Sequence, residues 1–594
     1  MTEHRAAKKP AENRFPSQAR YILGNEAAER YSYYGMKGIL ALYIINVLIM
    51  SQDDATLIIH LFSFANYFMP ILGAWVSDRY WGRYKTILWI SLSYCAGHAV
   101  LAMSDAFQTV DAKTICLYVG LGLIAFGSGG IKPCVSAFMG DQFGPERRHL
   151  LPKAYAAFYW AINLGSTAAF LTIPYIRKEW GYSWAFGVPG IAMGLATFVF
   201  WLGTKHYIMV PPSAKTKSAG FFKVFFHALT HGDERQPGES FWAPAKRRFK
   251  PEEVDAAASV GPILMVFALA PVFWALFDQT FSTWVMQGEQ MRPVYIGQAA
   301  FKPADIADPV RMVQQFQSDT NVFARRLWER LPEAERASLV AVTNEPAAAQ
   351  KALAATLNRL ARSELLYQTN WFGTNGPALS AETKLILKHQ PEGPELLRAN
   401  RLLIEDGFPE VVRKSYRIGP EEMLSANPIF VMIFVPILSV LVYPRLGRFA
   451  TPLKRMSSGM FLAAGTYLIV AWLQVRIDHG EELTILWQIL PYVVLTIAEV
   501  LFSTTGLEFA FREAAPSMKS IIMGFWTLTV AVGNLLVTGI TAVAGHFTGG
   551  SGHDVSVTPQ MFLFYAGLTF VVAIAFSILA SFYRYRDPEA AQGR

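Results

Sequence analysis

Between positions 26 and 37 the chain reads Glu26-Ala-Ala-Glu29-Arg30-Tyr31-Ser-Tyr33-Tyr34-Gly35-Met-Lys37. On a helix Glu26, Glu29 and Arg30 are spaced i, i+3 and i+4 and share one face, with Lys37 two turns further along it. Two acids around one arginine can hold and release a proton, because a carboxylate that loses its cationic partner becomes easier to protonate. Four more ionisable residues stand singly in otherwise apolar stretches: His60, Lys132, Asp278 and Glu499. A histidine titrates near neutral pH. Lys132 and Asp278 form the natural ion pair, which leaves Glu499 an acid without a local partner. Asn163 and Asn427 add neutral hydrogen-bonding groups, and Tyr67, Trp274 and Trp526 add aromatic walls. Ionisable groups in an apolar span are costly unless paired or facing water. Four such positions, of both signs, point to a shared aqueous cavity.

The elements that position these residues are membrane helices. Of 594 residues, 52% are hydrophobic and 16% charged, against about 25% charged in soluble chains. A crossing needs ~20 apolar residues. Spans fall near 30–50, 56–77, 85–104, 113–139, 153–176, 183–204, 258–286, 427–443, 456–474, 484–510, 519–545 and 559–583. The expected fold is therefore an all-α polytopic membrane protein with two six-helix halves. The net charge of +8 is spread in short clusters between spans, not in one nucleic-acid-binding patch. Cys95, Cys116 and Cys134 have no metal-ligand spacing and read as small core residues.

Loops 78–85, 140–153, 444–455 and 511–519 carry 12 Lys and Arg, whereas loops 51–55, 104–113, 177–182, 475–483 and 546–558 carry 4. The first set is expected to be cytoplasmic, and with an even span count both termini are as well. Residues 1–207 are expected to form the N-terminal six-helix half and 208–256 a cytoplasmic linker. Residues 257–286 form helix 7, and 427–594 supply helices 8–12. Between them, 287–426 is a polar insertion in which 34 of 140 residues are charged. Its apolar residues recur at helical spacing near 321–342, 347–365 and 379–405, so a helical soluble subdomain on the extracytoplasmic face is expected.

These residues carry a resemblance. Glu26-x-x-Glu29-Arg30-Tyr31-x-Tyr33-Tyr34-Gly35 resembles the ExxERFxYYG motif of the proton-coupled oligopeptide transporters of the major facilitator superfamily, with Tyr31 in place of Phe. The segment from Gly73 through Asp78, Arg79, Gly82 and Arg83 to Lys85 is similar to the superfamily's loop signature. Phe158-Tyr159-x-x-Ile162-Asn163-x-Gly165 matches FYxxINxG. Gly129-Gly130-Ile131-Lys132-Pro133, Phe273-Trp274-x-x-x-Asp278-Gln279 and Glu499 with Gly506-Leu507-Glu508-Phe509 also match, in family order. The insertion lies outside the resemblance.

The resemblance implies a proton-coupled symporter of di- and tripeptides, working by alternating access in the plasma membrane (the inner membrane of a bacterium). Protons are the coupling ion, no other cofactor is implied, and the monomer would be the working unit. Glu499, Asn163 and Asn427 would take the peptide ammonium. Lys37 and Lys132 would supply the field for the carboxylate. Lys37 stands where an arginine is more usual, so the bidentate fork is absent. Tyr33, Tyr34 and Tyr67 would bond the peptide group and termini, and Trp274 and Trp526 would line side-chain pockets. Glu26, Glu29, Arg30, His60, Lys132 and Asp278 would carry coupling, with protonation of Asp278 freeing Lys132.

An enzyme is disfavoured. HExxH, GxSxG and Walker patterns are missing, and the loose Gly120-Leu-Gly122-Leu-Ile-Ala125 pattern lies inside a span. A channel or receptor is disfavoured by the six-plus-six layout. A carrier of nitrate or an amino acid derivative is the nearer alternative, although Glu499 would repel a lone anion.

Overall fold

A computed structural model of the chain describes residues 15–212, 220–296, 301–317, 322–342, 345–361, 379, 383, 393–408, 416–447, 451–481, 483–515, 517–547 and 554–585. The first helix, α1, runs Ala19–Asn46, starting well before the apolar stretch. Next come α2 (Gln52–Val76), α3 (Gly82–Ala102) and α4 (Val110–Asp141). Side-chain N-caps mark two of the starts: Ser51 accepts from the Asp54 amide at 3.0 Å, and Thr109 from Ala112 at 3.3 Å. The helix α5, Leu151–Leu202, is 52 residues long and turns at Gly181, whose φ of 84° suits a residue without Cβ. It therefore supplies two crossings.

After a short linker helix, α6 (Phe221–Thr230), the second half opens with α7 (Pro251–Phe267) and α8 (Ala270–Glu289), which meet at a 45° bend. It continues with α9 (Pro420–Leu446), α10 (Pro452–Asp478), α11 (Ile485–Glu513), α12 (Lys519–Phe547) and α13 (Pro559–Phe582). Eight described helical stretches are long and apolar enough to cross a membrane. Two of these, Gln52–Ala106 and Leu151–His206, are each long enough to cross twice. The bent α7–α8 pair and α1 complete twelve crossings. α1 falls below a purely apolar threshold because it carries Glu26, Glu29, Arg30 and Lys37. The result is two six-helix halves with an insertion between the seventh and eighth crossings.

Within the first half, α1 packs along α5 and α3 along α4; in the second, α10 packs along α13 and α8 along α12. Gly165 explains how closely α1 and α5 approach. A Cβ there would lie 2.3 Å from the Ala27 carbonyl oxygen, so only glycine lets α5 cross directly over the charged segment of α1. The halves meet through α2 against α12 and α5 against α9.

One small sheet is added to the all-α fold. The two chain segments leaving and re-entering the bundle pair as antiparallel strands, β1 (Val294–Ile296) and β2 (Tyr416–Ile418), with Val294 opposite Ile418. A parallel bridge, with Arg292 N donating to Leu483 O at 2.8 Å and Ile485 N to Arg292 O at 2.9 Å, fixes this ribbon to the start of α11. Beyond it, Pro309–Gln317, Val322–Arg330, Glu333–Ala341, Pro346–Leu360 and Gly393–Gly407 are helical. They close around a separate core that includes Met312, Phe316, Phe323, Leu327, Leu357 and Phe408. Of the helical pattern read at 379–405, residues 380–382 and 384–392 lie outside the described residues, as do residue 321, residues 362–365, residues 1–14, and 213–219 of the linker.

Candidate functional site

The α1 motif forms a compact charged knot. Arg30 Nε lies 2.7 Å from Glu26 Oε1 and 3.2 Å from Glu29 Oε2, and Glu29 Oε1 accepts from Ser128 Oγ of α4 at 2.9 Å. Both glutamates are buried, while Arg30 keeps some exposure. The helical spacing read from the sequence is what brings the two acids to one guanidinium.

A second knot joins the halves. Lys37 Nζ of α1 lies 3.4 Å from Asp278 Oδ1 of α8. Asp278 Oδ2 accepts from Asn534 Nδ2 of α12 at 2.5 Å. Asn534 Oδ1 in turn faces His60 Nδ1 of α2 at 2.8 Å, and His60 Nε2 faces Ser282 Oγ at 2.9 Å. Every member of this chain is buried. The expected Lys132–Asp278 pair is therefore not the one formed. Lys37 reaches Asp278 first because both occupy the α1–α8 seam, whereas Lys132 projects from α4 toward aromatic rings.

Lys132 Nζ makes no hydrogen bond in the described structure. It stands 4.3 Å from the centroid of Tyr33 and 4.6 Å from that of Tyr67. Two desolvated cation–π contacts return ~2 kcal/mol each, less than the several kcal/mol needed to bury an ammonium unpaired. The group is thus short of an anion. Tyr33 is itself fixed by Asn66 Nδ2, 3.1 Å from its hydroxyl, and Tyr34 stacks on Phe281 with centroids 6.0 Å apart.

The opposite pole is Glu499 on α11, with Asn427 Nδ2 of α9 donating to its Oε2 at 2.7 Å. A π-helical stretch, Val500–Thr504, follows at once; such bulges recur at functional sites because they re-aim side chains. Tyr34 lies within electrostatic reach of Glu499, Asp278, Arg30 and Glu29, so the acidic pole and both knots surround it. Trp274 and Trp526 meet edge to face at 6.0 Å, and Trp274 Nε1 has no hydrogen-bond partner among the described residues. Asn163 turns its amide to Tyr159 O within its own helix at 2.9 Å, instead of joining Glu499. Tyr34, Tyr67, Lys132, Asn427 and Glu499 stay half-buried, whereas Glu26, Glu29, Lys37, His60 and Asp278 are sealed.

The ends of the halves on the insertion side are clasped. Arg177 Nη2 of α5 lies 2.7 Å from Glu421 Oε2 of α9, and Lys178 pairs with Glu422. Asp53 of α2 accepts from the Val555 and Ser556 amides, at 3.1 and 2.8 Å, and Asp554 accepts from Gln52 N at 3.0 Å. Sequence reading counted Arg177 and Lys178 only as loop charges and passed over Asn534, Ser128 and Asn66. Asparagine and serine inside apolar spans are a readable signal. The clasp was not readable, because its partners are 244 residues apart.

The family profile described as the POT family matches residues 84–307 and 409–554, leaving out the insertion beyond its stalk. Solute carrier family 15 member 2 of Rattus norvegicus is 30% identical, covering 96% of this chain and 90% of its own length. A crystal structure of an auto inhibited POT family peptide transporter is 31% identical, covers 96% of this chain and 98% of its own, and superposes with a TM-score of 0.69. A proton dependent oligopeptide (POT) family transporter is 30% identical, with 94% and 99% covered and a TM-score of 0.61.

Proposed function

The chain belongs to the POT family and is a proton-coupled peptide transporter, not an enzyme; on that premise we propose that it carries di- and tripeptides between the Lys132 and Glu499 poles. The observation that carries this reading is Lys132, a cation of the first half with no hydrogen-bond partner, opposed by an acid on the second half. A zwitterionic peptide satisfies both poles at once. Its carboxylate goes to Lys132, Tyr33 and Tyr67, and its ammonium to Glu499 and Asn427, with Asn163 at the edge. Tyr34 faces the peptide group, and Trp274 and Trp526 bound the side-chain pockets.

The coupling ion is the proton. Glu26 and Glu29 share Arg30, and the chain from Lys37 through Asp278 and Asn534 to His60 spans the two halves. Protonating Asp278 removes the attraction that holds Lys37 across the seam, so the halves can rock about the central site. The clasp at Arg177–Glu421 and Lys178–Glu422 closes the face carrying the insertion, which we assign to the outside. The membrane is the plasma membrane, both termini lie in the cytoplasm, and the monomer is the working unit.

The test is uptake of labelled dipeptide into proteoliposomes under an inward proton gradient. Unlabelled tripeptide should compete, and nitrate and free amino acids should not. Competition by nitrate, or uptake without a proton gradient, would overturn the reading.

A further inference from the structure

His98 of α3 belongs to none of the motifs above, yet it is fully buried at a junction of three helices. Its Nε2 lies 2.9 Å from Ser32 Oγ of α1, and its Nδ1 lies 3.2 Å from the Phe186 carbonyl oxygen on the far leg of α5. A carbonyl only accepts, so Nδ1 carries the proton and Nε2 accepts from the Ser32 hydroxyl. The Tyr94 ring stacks on the imidazole with centroids 5.2 Å apart. α5 approaches so closely that a Cβ on Gly190 would sit 2.7 Å from His98 Cβ. The ring is therefore stacked on Tyr94 and hydrogen-bonded at both nitrogens, with α5 packed tightly against the His98 Cβ.

Ser32 lies three residues after Glu29, so the two share a face of α1. We propose that His98 is a positioning residue for Glu29: through Ser32 it sets the rotation of α1 that keeps the Glu29 carboxylate against Ser128 of α4. This rests on the reading of Glu29 as a proton-coupling group. Tyr94, whose buried ring lies on His98, is also within electrostatic reach of Glu29. The charged and titratable groups around Glu29 are Arg30, Glu26 and Tyr34 on α1, Lys132 on α4, Tyr94 on α3 and Tyr67 on α2. A small rotation of α1 would carry Glu26, Glu29, Arg30 and Tyr34 together and change the distance of Glu29 from Ser128, Lys132, Tyr94 and Tyr67. The contacts of His98 itself, with Ser32, Phe186, Tyr94 and the Gly190 backbone, include neither Lys132 nor Glu499, so its effect is expected on coupling before peptide binding.

Two hydrogen-bonding functions are needed at position 98, one donor and one acceptor. Glutamine supplies both on a neutral side chain, and leucine supplies neither. In proteoliposomes, H98L should lower gradient-driven dipeptide uptake by about tenfold, the scale for breaking a buried hydrogen bond, and shift its pH profile. Peptide counterflow, which needs no net proton movement, should stay within about twofold of wild type, because His98 and Ser32 contact neither Lys132 nor Glu499. H98Q should restore uptake and the pH profile. S32A removes the same bond from the other side with little change in volume, and should shift the profile in the same direction even if H98L fails to reach the membrane. An unchanged pH profile in both H98L and S32A would overturn the proposal, and so would a parallel fall of uptake and counterflow that H98Q does not rescue. E29Q separates the two levels. If E29Q still takes up peptide in response to the proton gradient, the reading of Glu29 fails; if E29Q is uncoupled and the position-98 variants are not, only the role of His98 fails.

Discussion

Lys37 and Asp278 face each other across the two halves, Nζ 3.4 Å from Oδ1, both buried, with Phe281 beneath the ammonium at 4.0 Å. Removing one member of such a pair leaves an uncompensated charge, at a cost of about 3–5 kcal/mol, whereas removing both is often nearly neutral. K37Q and D278N are each expected to lower the thermal unfolding midpoint in detergent clearly, and K37Q/D278N to recover most of the loss. Gradient-driven uptake should stay lost in the double variant, because Asp278 no longer titrates. If the double variant is no more stable than the singles, the pair does not hold the seam.

Lys132 is the cation that a peptide carboxylate would satisfy. K132Q should raise the KM for a dipeptide by tenfold or more, since a charge-assisted hydrogen bond contributes about 1.5–3 kcal/mol. The same substitution should leave competition by a C-terminally amidated dipeptide nearly unchanged. Conversely, E499Q should weaken a free-amine dipeptide and spare an N-acetylated one. Comparing inhibition constants for the four combinations checks both poles, and equal losses for both ligands would place the peptide elsewhere.

The Arg177–Glu421 clasp is buried on both sides, so breaking it should favour opening on the insertion face. Thr56, fully buried one turn below the Asp53 contact, is a reporter position. In a background with Cys95, Cys116 and Cys134 replaced by serine, a cysteine substituted for Thr56 should react slowly with an external impermeant maleimide. Adding R177A should speed the reaction by about tenfold or more, each factor of ten corresponding to about 1.4 kcal/mol. An unchanged labelling rate would show that the Asp53 contacts and Lys178–Glu422 suffice for closure.

The helices could be read from residue order because membrane crossing imposes length and apolarity on each segment separately. The α1 knot was readable for the same local reason, since i, i+3 and i+4 fix which side chains meet. Pairing across the bundle was not. Asp278 has opposite charges available on α1 and α4, and charge alone cannot say which is nearer. The seam between α1 and α8 decides for Lys37, and the aromatic shelf of Tyr33 and Tyr67 holds Lys132 away. The β1–β2 ribbon escaped notice because three-residue strands carry too little alternation to stand out beside the long helices around them.

That ribbon bears on what the insertion is for. Glu421 and Glu422, the acids of the clasp, follow β2 almost immediately, and Glu422 also accepts from Gly419 N at 2.9 Å. Their position is thus set by β2, which is held by β1 and, through Arg292, by the start of α11. The helices beyond the ribbon have their own core and are not needed for that bracing. Ile296 and Tyr416 are directly paired, so a two-residue Asn-Gly turn can replace residues 297–415 without changing the register. Shortening a loop alters closure entropy by only ~0.6 kcal/mol per halving, which favours the shorter chain. The shortened protein should retain uptake within about twofold, while an equivalent deletion that also removes 292–296 and 416–418 should lose it through a loosened clasp. Maleimide labelling of the substituted Thr56 position, run on both deletions, checks the cause: fast labelling is expected only when the ribbon is gone, and fast labelling of the ribbon-retaining form would mean that the insertion itself holds the outer face shut.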